Sequence, residues 1–220
     1  MLDKRVGSAA EAIAGLRDGA TILLGGFGTP GYPARLMDAV VASGMGDLTV
    51  VSNNGGANGS GLIKLISTGR VRRLICSFPQ TAGATEFQEA YAAGKVMVEL
   101  VPQGIISERM RCAAAGLGGF LSPVGVGTRL AEGKQVQNVN GRDYVLELPL
   151  KGDLALVRAD RADRWGNLTY RKTARNFNPV MASAAAVTAV EVREMVDLGA
   201  LDAEAVATPG IFVDRVLVTG

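Results

Sequence analysis

Thr21-Ile22-Leu23-Leu24-Gly25-Gly26-Phe27-Gly28-Thr29-Pro30-Gly31-Tyr32-Pro33 decides the fold of this chain. Four residues form a short apolar run of the kind that a parallel strand shows when both its faces are buried. A glycine-rich turn follows, and Pro33 to Ala42 reads as a helix closed by Ser43-Gly44. The same punctuation repeats downstream. Leu48–Val51, Val71–Cys76 and Val96–Val101 read as strands, separated by helices over Gly61–Ser67 and Ala84–Ala93. A further helix is expected from about Ile106 to Ala115, and an earlier one over Ser8–Leu16, with Ser8 as N-cap and Glu11 completing a capping box. Strand–helix–strand units on short loops predict an α/β fold: an open, mostly parallel sheet flanked by helices. After Gly116 the pattern changes. Residues 116–127 read as irregular loop, Asn140-Gly141 as a hairpin turn, and Asp163–Asn167 as a tight turn between Leu154–Ala159 and Leu168–Tyr170. The second half is therefore expected to carry antiparallel hairpins, at an edge of the same sheet or as a subdomain. One domain over residues 1–220 is expected.

Composition narrows the chemistry. With 48% hydrophobic and 20% charged residues, the chain is a folded one. A net charge of +2 gives no electrostatic argument for nucleic acid or a membrane surface as partner. There is no histidine, which removes Ser-His-Asp and Cys-His catalysis and a His-Glu-x-x-His zinc site within this chain. Cys76 and Cys112 are too few for a disulfide framework or a cysteine-rich metal site, so no metal is expected and a reducing cytoplasm is the natural compartment. No targeting or membrane segment is expected, since the apolar region around Ala182 is interrupted by Ser183, Thr188 and Glu191.

Gly26, Gly28 and Gly31 formally match G-x-G-x-x-G, which would make the loop a dinucleotide cradle of an oxidoreductase. That reading needs an acid for the ribose, and the next strand ends Val51-Ser52-Asn53-Asn54. Pro30 also removes a backbone donor. A second rival is a non-catalytic effector-binding domain. The loop at the end of the first strand and the Ser52-Asn53-Asn54-Gly55-Gly56 loop at the end of the second would line a crevice with uncharged donors. That crevice suits an acyl or carboxylate group held by amides.

The stretch Asp18-Gly19-Ala20-Thr21-Ile22-Leu23-Leu24-Gly25-Gly26-Phe27-Gly28-Thr29-Pro30-Gly31-Tyr32-Pro33 resembles the first signature of the class I CoA-transferases at every position. Val51–Gly55, Val98–Gly104, Glu108-Arg109, Asp163–Lys172 and Ala174-Arg175-Asn176-Phe177 are similar to blocks of that family's alpha (A) half. The resemblance implies CoA transfer from succinyl-CoA to a 3-oxo acid, by a ping-pong route through a glutamyl-CoA thioester. It implies no cofactor besides the CoA thioester substrate. The Cys76–Gln80 run and the Asp163–Lys172 block are most similar to family members acting on 3-oxoadipate, with acetoacetate the alternative acceptor. The family's nucleophilic glutamate lies in Ser-Glu-Asn-Gly on the beta half, whereas Ser52-Asn53-Asn54-Gly55 carries asparagine there. The resemblance thus implies a hetero-oligomer in which a homologous beta subunit supplies the glutamate.

Gln103 is either a turn amide or, by the resemblance, a cleft side chain contacting the substrate or its oxyanion. Gly26, Phe27, Gly28, Asn53, Asn54 and Gln80 are expected at the substrate. Glu86, Glu89, Glu132, Glu191 and Glu194 are read as solvated, Glu108 as an ion-pair partner of Arg109 or Arg111, and Trp165 as a packing anchor. Arg171, Lys172 and Arg175 are solvated charge, or face a partner or the CoA phosphates.

Overall fold

A computed structural model describes residues 2–79 and 85–220. In chain order the regular elements are α1 (Ala9–Ala12), β1 (Thr21–Leu24), α2 (Ala34–Ala42), β2 (Leu48–Val51), α3 (Gly61–Ser67), β3 (Val71–Cys76), α4 (Glu86–Ala92), β4 (Met97–Leu100), α5 (Gln103–Ala114), β5 (Phe120–Ser122), β6 (Val136–Val139), β7 (Arg142–Glu147), β8 (Gly152–Asp163), β9 (Leu168–Thr169), α6 (Asn178–Ser183), β10 (Ala185–Val196) and β11 (Arg215–Val218). The main sheet runs β11-β10-β8-β1-β2-β3-β4, all parallel, with β9 antiparallel on β8. A separate antiparallel sheet has the order β5-β7-β6.

The apolar runs form strands because they are buried on both faces. Ile22 and Leu24 join one core with Leu36, Met37, Leu62 and Leu65 of α2 and α3. Leu23, between them, joins the opposite core with Ile106 and Met110 of α5 and Met181 of α6. All of these side chains are at most 1% exposed, and each contributes about 1.5–3 kcal/mol by leaving water.

The fold class is as the sequence predicts, but the second half departs in detail. Its two long strands, β8 and β10, and the edge strand β11 extend the parallel sheet. Among the strands of the described residues, β9 and the small sheet are the antiparallel ones. In β10 the consecutive residues Thr188–Val192 are all buried, so both faces of its middle are covered and the run does not show the clean in–out burial of a half-buried strand. The stretch expected as irregular loop over 116–127 contains β5. Helix α5 begins at Gln103, three residues before the expected start, because Pro102 with φ −53° and ψ 137° serves as its N-cap. At α1 the Ser8 hydroxyl accepts from Glu11 N–H at 3.1 Å, but the Glu11 carboxylate accepts from Gly7 N–H rather than that of Ser8.

The chain runs outward from β1 through β2, β3 and β4 on one side and through β8, β10 and β11 on the other. Strand β1 is thus where the order reverses, and the loop after it opens at the crevice where α/β sheets place ligands.

Candidate active-site cleft

Three loops converge at the C-terminal ends of β1, β2 and β4. The first, residues 25–33, turns on its own hydrogen bonds: Phe27 N–H to Pro30 O at 3.1 Å and Tyr32 N–H to Thr29 O at 3.2 Å. Two asparagines far along the chain hold it from outside. Asn176 Nδ2 donates to Pro30 O at 2.9 Å. Asn178, completely buried, donates to Gly31 O at 3.2 Å and Ala174 O at 2.9 Å, and accepts from Arg158 N–H at 2.9 Å. This clamp explains why the glycine loop and the Ala174–Phe177 block belong together. It also requires Gly31, where φ is +71° and a Cβ would run into Ala174 O. Gly28 differs: φ is +64°, yet nothing lies within 4 Å of its Cβ position. Its glycine serves the backbone conformation, and the space beside it is open.

Helix α2 starts at this loop with Pro33 as N-cap and no side-chain cap of its own. Glu191 of β10 supplies one. Its Oε2 accepts from Arg35 N–H at 2.8 Å and Leu36 N–H at 3.2 Å, placing a carboxylate at the positive end of the helix. Glu191 is 1% exposed, not solvated as expected from its polar neighbours. Burial pushes its carboxyl above the ordinary range, partly opposed by those backbone donors and by the Arg158 guanidinium.

The second loop is built on amides. Asn54 Oδ1 accepts from Gly56 N–H at 3.1 Å. Asn53, 5% exposed, uses its backbone carbonyl for Ser77 N–H and Phe78 N–H and its Oδ1 for Ser77 Oγ at 3.1 Å. The same Oδ1 accepts from Gln103 Nε2 at 2.7 Å. Gln103 is therefore not a turn amide. It stands in the first turn of α5, exposed, and its bond to Asn53 ties the ends of β2 and β4 together across β3.

A cavity of about 300 Å³ opens between the first two loops. Of the residues expected at the substrate, Gly26, Gly28, Asn53 and Asn54 line it, together with Tyr32 and Arg158. Phe27 does not line it; its ring is half exposed above the loop. Gln103 does not line it but stands exposed beside Asn53, to which it is bonded, and Gln80 lies outside the described residues. Burial pushes the Tyr32 phenol up to about 12, so its Oη stays protonated while it accepts from Leu62 N–H. Cys76, at the end of β3, is likewise pushed up to about 12 by burial, which makes it an inert thiol.

Arg158 is the residue that sequence reading missed. It sits in β8, where the apolar run predicts a strand over Leu154–Ala159, and its charge carries no local motif. Only the register of β8 against β1 brings it to the cavity. Other expectations resolve on bonding. Glu108 pairs with Arg111 at 3.2 Å on the surface, whereas Arg109 turns to Glu99 at 3.0 Å and to Leu148 O. Trp165 is half exposed, so it is not the anchor of its turn. Asp163 is, accepting from Trp165 N–H, Asn167 N–H and Asn167 Nδ2.

The cavity offers neutral donors, one guanidinium and, among its described lining residues, no carboxylate. Such a site can bind and polarise an acyl carbonyl but, among its described lining residues, holds no carboxylate to act as a nucleophile. Comparison with known proteins agrees with this chemistry. The chain matches the family Coenzyme A transferase over residues 6–219. It is 54% identical to the A subunit of 3-oxoadipate CoA-transferase from Acinetobacter baylyi over 217 residues, 99% of this chain and 95% of that one. The corresponding Pseudomonas putida protein is 51% identical, over 99% and 94% of the two chains. Among solved structures, an acyl-CoA transferase of Escherichia coli O157:H7, determined as a thioester complex with CoA, superposes with a TM-score of 0.85 at 22% identity. It shares the fold over 99% of this chain, which spans about half (47%) of that longer one. With a family match along nearly its whole length and two full-length relatives above half identity, the chain belongs to the Coenzyme A transferase family, as the alpha subunit of such a transferase.

Proposed function

We propose that this alpha chain works with a homologous beta subunit carrying Ser-Glu-Asn-Gly to move CoA from succinyl-CoA to a 3-oxo acid, 3-oxoadipate in preference to acetoacetate. The observation that carries the reading is the cavity itself, with amide and backbone donors but no carboxylate lining it among the described residues. The partner's glutamate attacks the thioester carbonyl, and CoA leaves as thiolate, giving a mixed anhydride. The thiolate then attacks the glutamyl carbonyl and releases succinate, leaving a glutamyl-CoA thioester. The acceptor carboxylate reverses both steps. Each step passes through an oxyanion, and donors already fixed in place stabilise it without reorganising. In this chain those donors are the Gly28 N–H and the Asn53 and Gln103 amides, with Gly26 and Asn54 shaping the wall. No cofactor enters beyond the CoA thioester substrate.

The names of the Acinetobacter baylyi and Pseudomonas putida relatives support both the acceptor and the need for a second subunit. Among the described residues no helix is long and apolar enough to cross a membrane, and the reading places the enzyme in the cytoplasm. The test is to purify the chain alone and together with a Ser-Glu-Asn-Gly subunit of similar size. Acyl-CoA exchange is then assayed against a panel of short acids. Exchange only in the complex is expected; comparable exchange by the isolated chain rules the reading out.

A further inference from the structure

Arg158 is the only charged side chain among the described residues that line the cavity. Its side chain is 47% exposed, and its guanidinium is held from behind. The Nη1 atom lies 3.6 Å from Glu191 Oε1 and 3.5 Å from Tyr32 O, and the backbone N–H is bonded to buried Asn178. Glu191 does not consume the guanidinium, because its short hydrogen bonds go to Arg35 and Leu36 N–H. The contacts of the guanidinium use Nη1 alone, so its other donors are left for the cavity and the groove beside it, at a position that β8 sets.

We infer that Arg158 is a specificity-determining residue that binds the distal carboxylate of a dicarboxylic acyl group, while the amide end of the same cavity takes the reacting carbonyl. The inference rests on the transferase reading above and names the feature that selects its substrate class. A volume of about 300 Å³ accommodates a short acid and excludes the far larger coenzyme, so the acyl portion is what enters. A planar guanidinium matches a carboxylate in a two-bond fork, which a neutral methyl terminus cannot engage. Succinyl and 3-oxoadipyl groups both carry such a carboxylate; an acetoacetyl group does not. Gly28 and Asn53 line the same cavity as Arg158, so one bound acyl chain can reach both ends.

The test uses the assembled alpha–beta complex and compares kcat/KM for 3-oxoadipate and acetoacetate as acceptors. In a ping-pong exchange each value reports only its own half-reaction. The wild-type complex is expected to prefer the diacid. Arg158→Gln is expected to lower the diacid-to-monoacid ratio by about 10- to 100-fold, the range for losing a charge-assisted hydrogen bond from a bound group. Arg158→Lys keeps a cation beside Glu191 and loses the fork, so it should fall between the two; it also serves as the reading should Arg158→Gln fail to fold. Arg171→Gln, on the neighbouring surface, should keep the wild-type ratio. Equal losses on both acids, a wild-type preference for acetoacetate, or the same collapse in Arg171→Gln would each overturn the inference while leaving the transferase reading in place. Absence of exchange with any acid in the wild-type complex overturns that underlying reading, and this one with it.

Discussion

The glycine loop divides the C-terminal edge of the sheet into two hollows of opposite character. On one side is the amide cavity with a single guanidinium. On the other, a groove of about 460 Å³ is lined by Arg158, Asp160, Arg171, Lys172 and Arg193. Arg193 is tied to Asp160 and Glu194, both at 3.0 Å, whereas Arg171 and Lys172 are exposed and form no ion pair among the described residues. The two hollows share Thr29 and Arg158. Charge in the groove is largely exposed and so is screened by water and salt. Donors in the cavity are few, oriented and shielded, which is what a developing oxyanion requires. The same loop thus borders a cavity lined mainly by neutral donors on one side and a charged surface on the other.

The largest expected effect concerns the loop that makes the division. Gly28→Val should abolish exchange in the complex, because the side chain enters the open space beside the cavity. Positive φ adds a stability cost of about 1–3 kcal/mol. Gly31→Val should instead prevent the loop from forming at all, since its Cβ would meet Ala174 O and Asn178. Unfolding midpoints and activities measured on the same samples separate the two. An active, well-folded Gly28→Val complex would show that the cavity lies away from the chemistry.

Next is Gln103→Ala. It should cut turnover with folding and assembly intact, at about 2.7–4 kcal/mol for a lost oxyanion donor. The bond to Asn53 adds a consequence: Gln103→Ala also frees the Asn53 amide, so Asn53→Ala in the same background should cost less than it does alone. Additive losses would separate the two amides and weaken the case for a shared array.

Asn178→Ala removes the clamp. Buried Gly31 O loses a partner, a cost of about 1–3 kcal/mol if it is left unsatisfied, and the partly buried Ala174 O and Arg158 N–H lose theirs at less cost, since water reaches them. Its effect should reach both hollows, since it holds the loop on one side and Arg158 on the other. An activity loss without any fall in the unfolding midpoint would contradict a structural clamp.

Smallest is Glu191→Gln. The Glu191 carboxyl is pushed up in the folded chain, so the folded state keeps its proton to higher pH than the unfolded state. Its contribution to stability is greatest at and below the ordinary value near 4.5 and falls as pH rises through the raised one. Glu191→Gln should flatten that fall in denaturation measured from pH 4 upward. An unchanged slope would mean that the charged caps on α2 offset its burial fully.

The first half of the fold is legible because each strand is a short apolar run punctuated by glycine or a polar turn: β1, β2, α3 and β3 lie where the pattern predicts, residue for residue. Asn53 and the glycines are legible as cavity walls for the same reason, being the residues that directly end those strands. Arg158, Glu191 and Asn178 are not. Each acts on a loop more than a hundred residues away, and nothing local distinguishes a clamping asparagine or a capping glutamate from a solvated one. The roles of Arg158 and Glu191 follow from the register of β8 and β10, and that of Asn178 from where α6 meets β8, which only the assembled sheet defines.

The contact between Asn178 and Gly31 spans 147 positions of chain. During synthesis, β1 and the first of its helices leave the ribosome long before the residue that shapes the loop between them exists. The amino-terminal strands can pair early through neighbouring contacts, but a loop awaiting so distant a partner stays unformed until the last quarter emerges. The clamped form of the loop is therefore one the nascent chain can reach only late in synthesis. A product ending before Asn176 would lack both asparagines that hold the loop from outside.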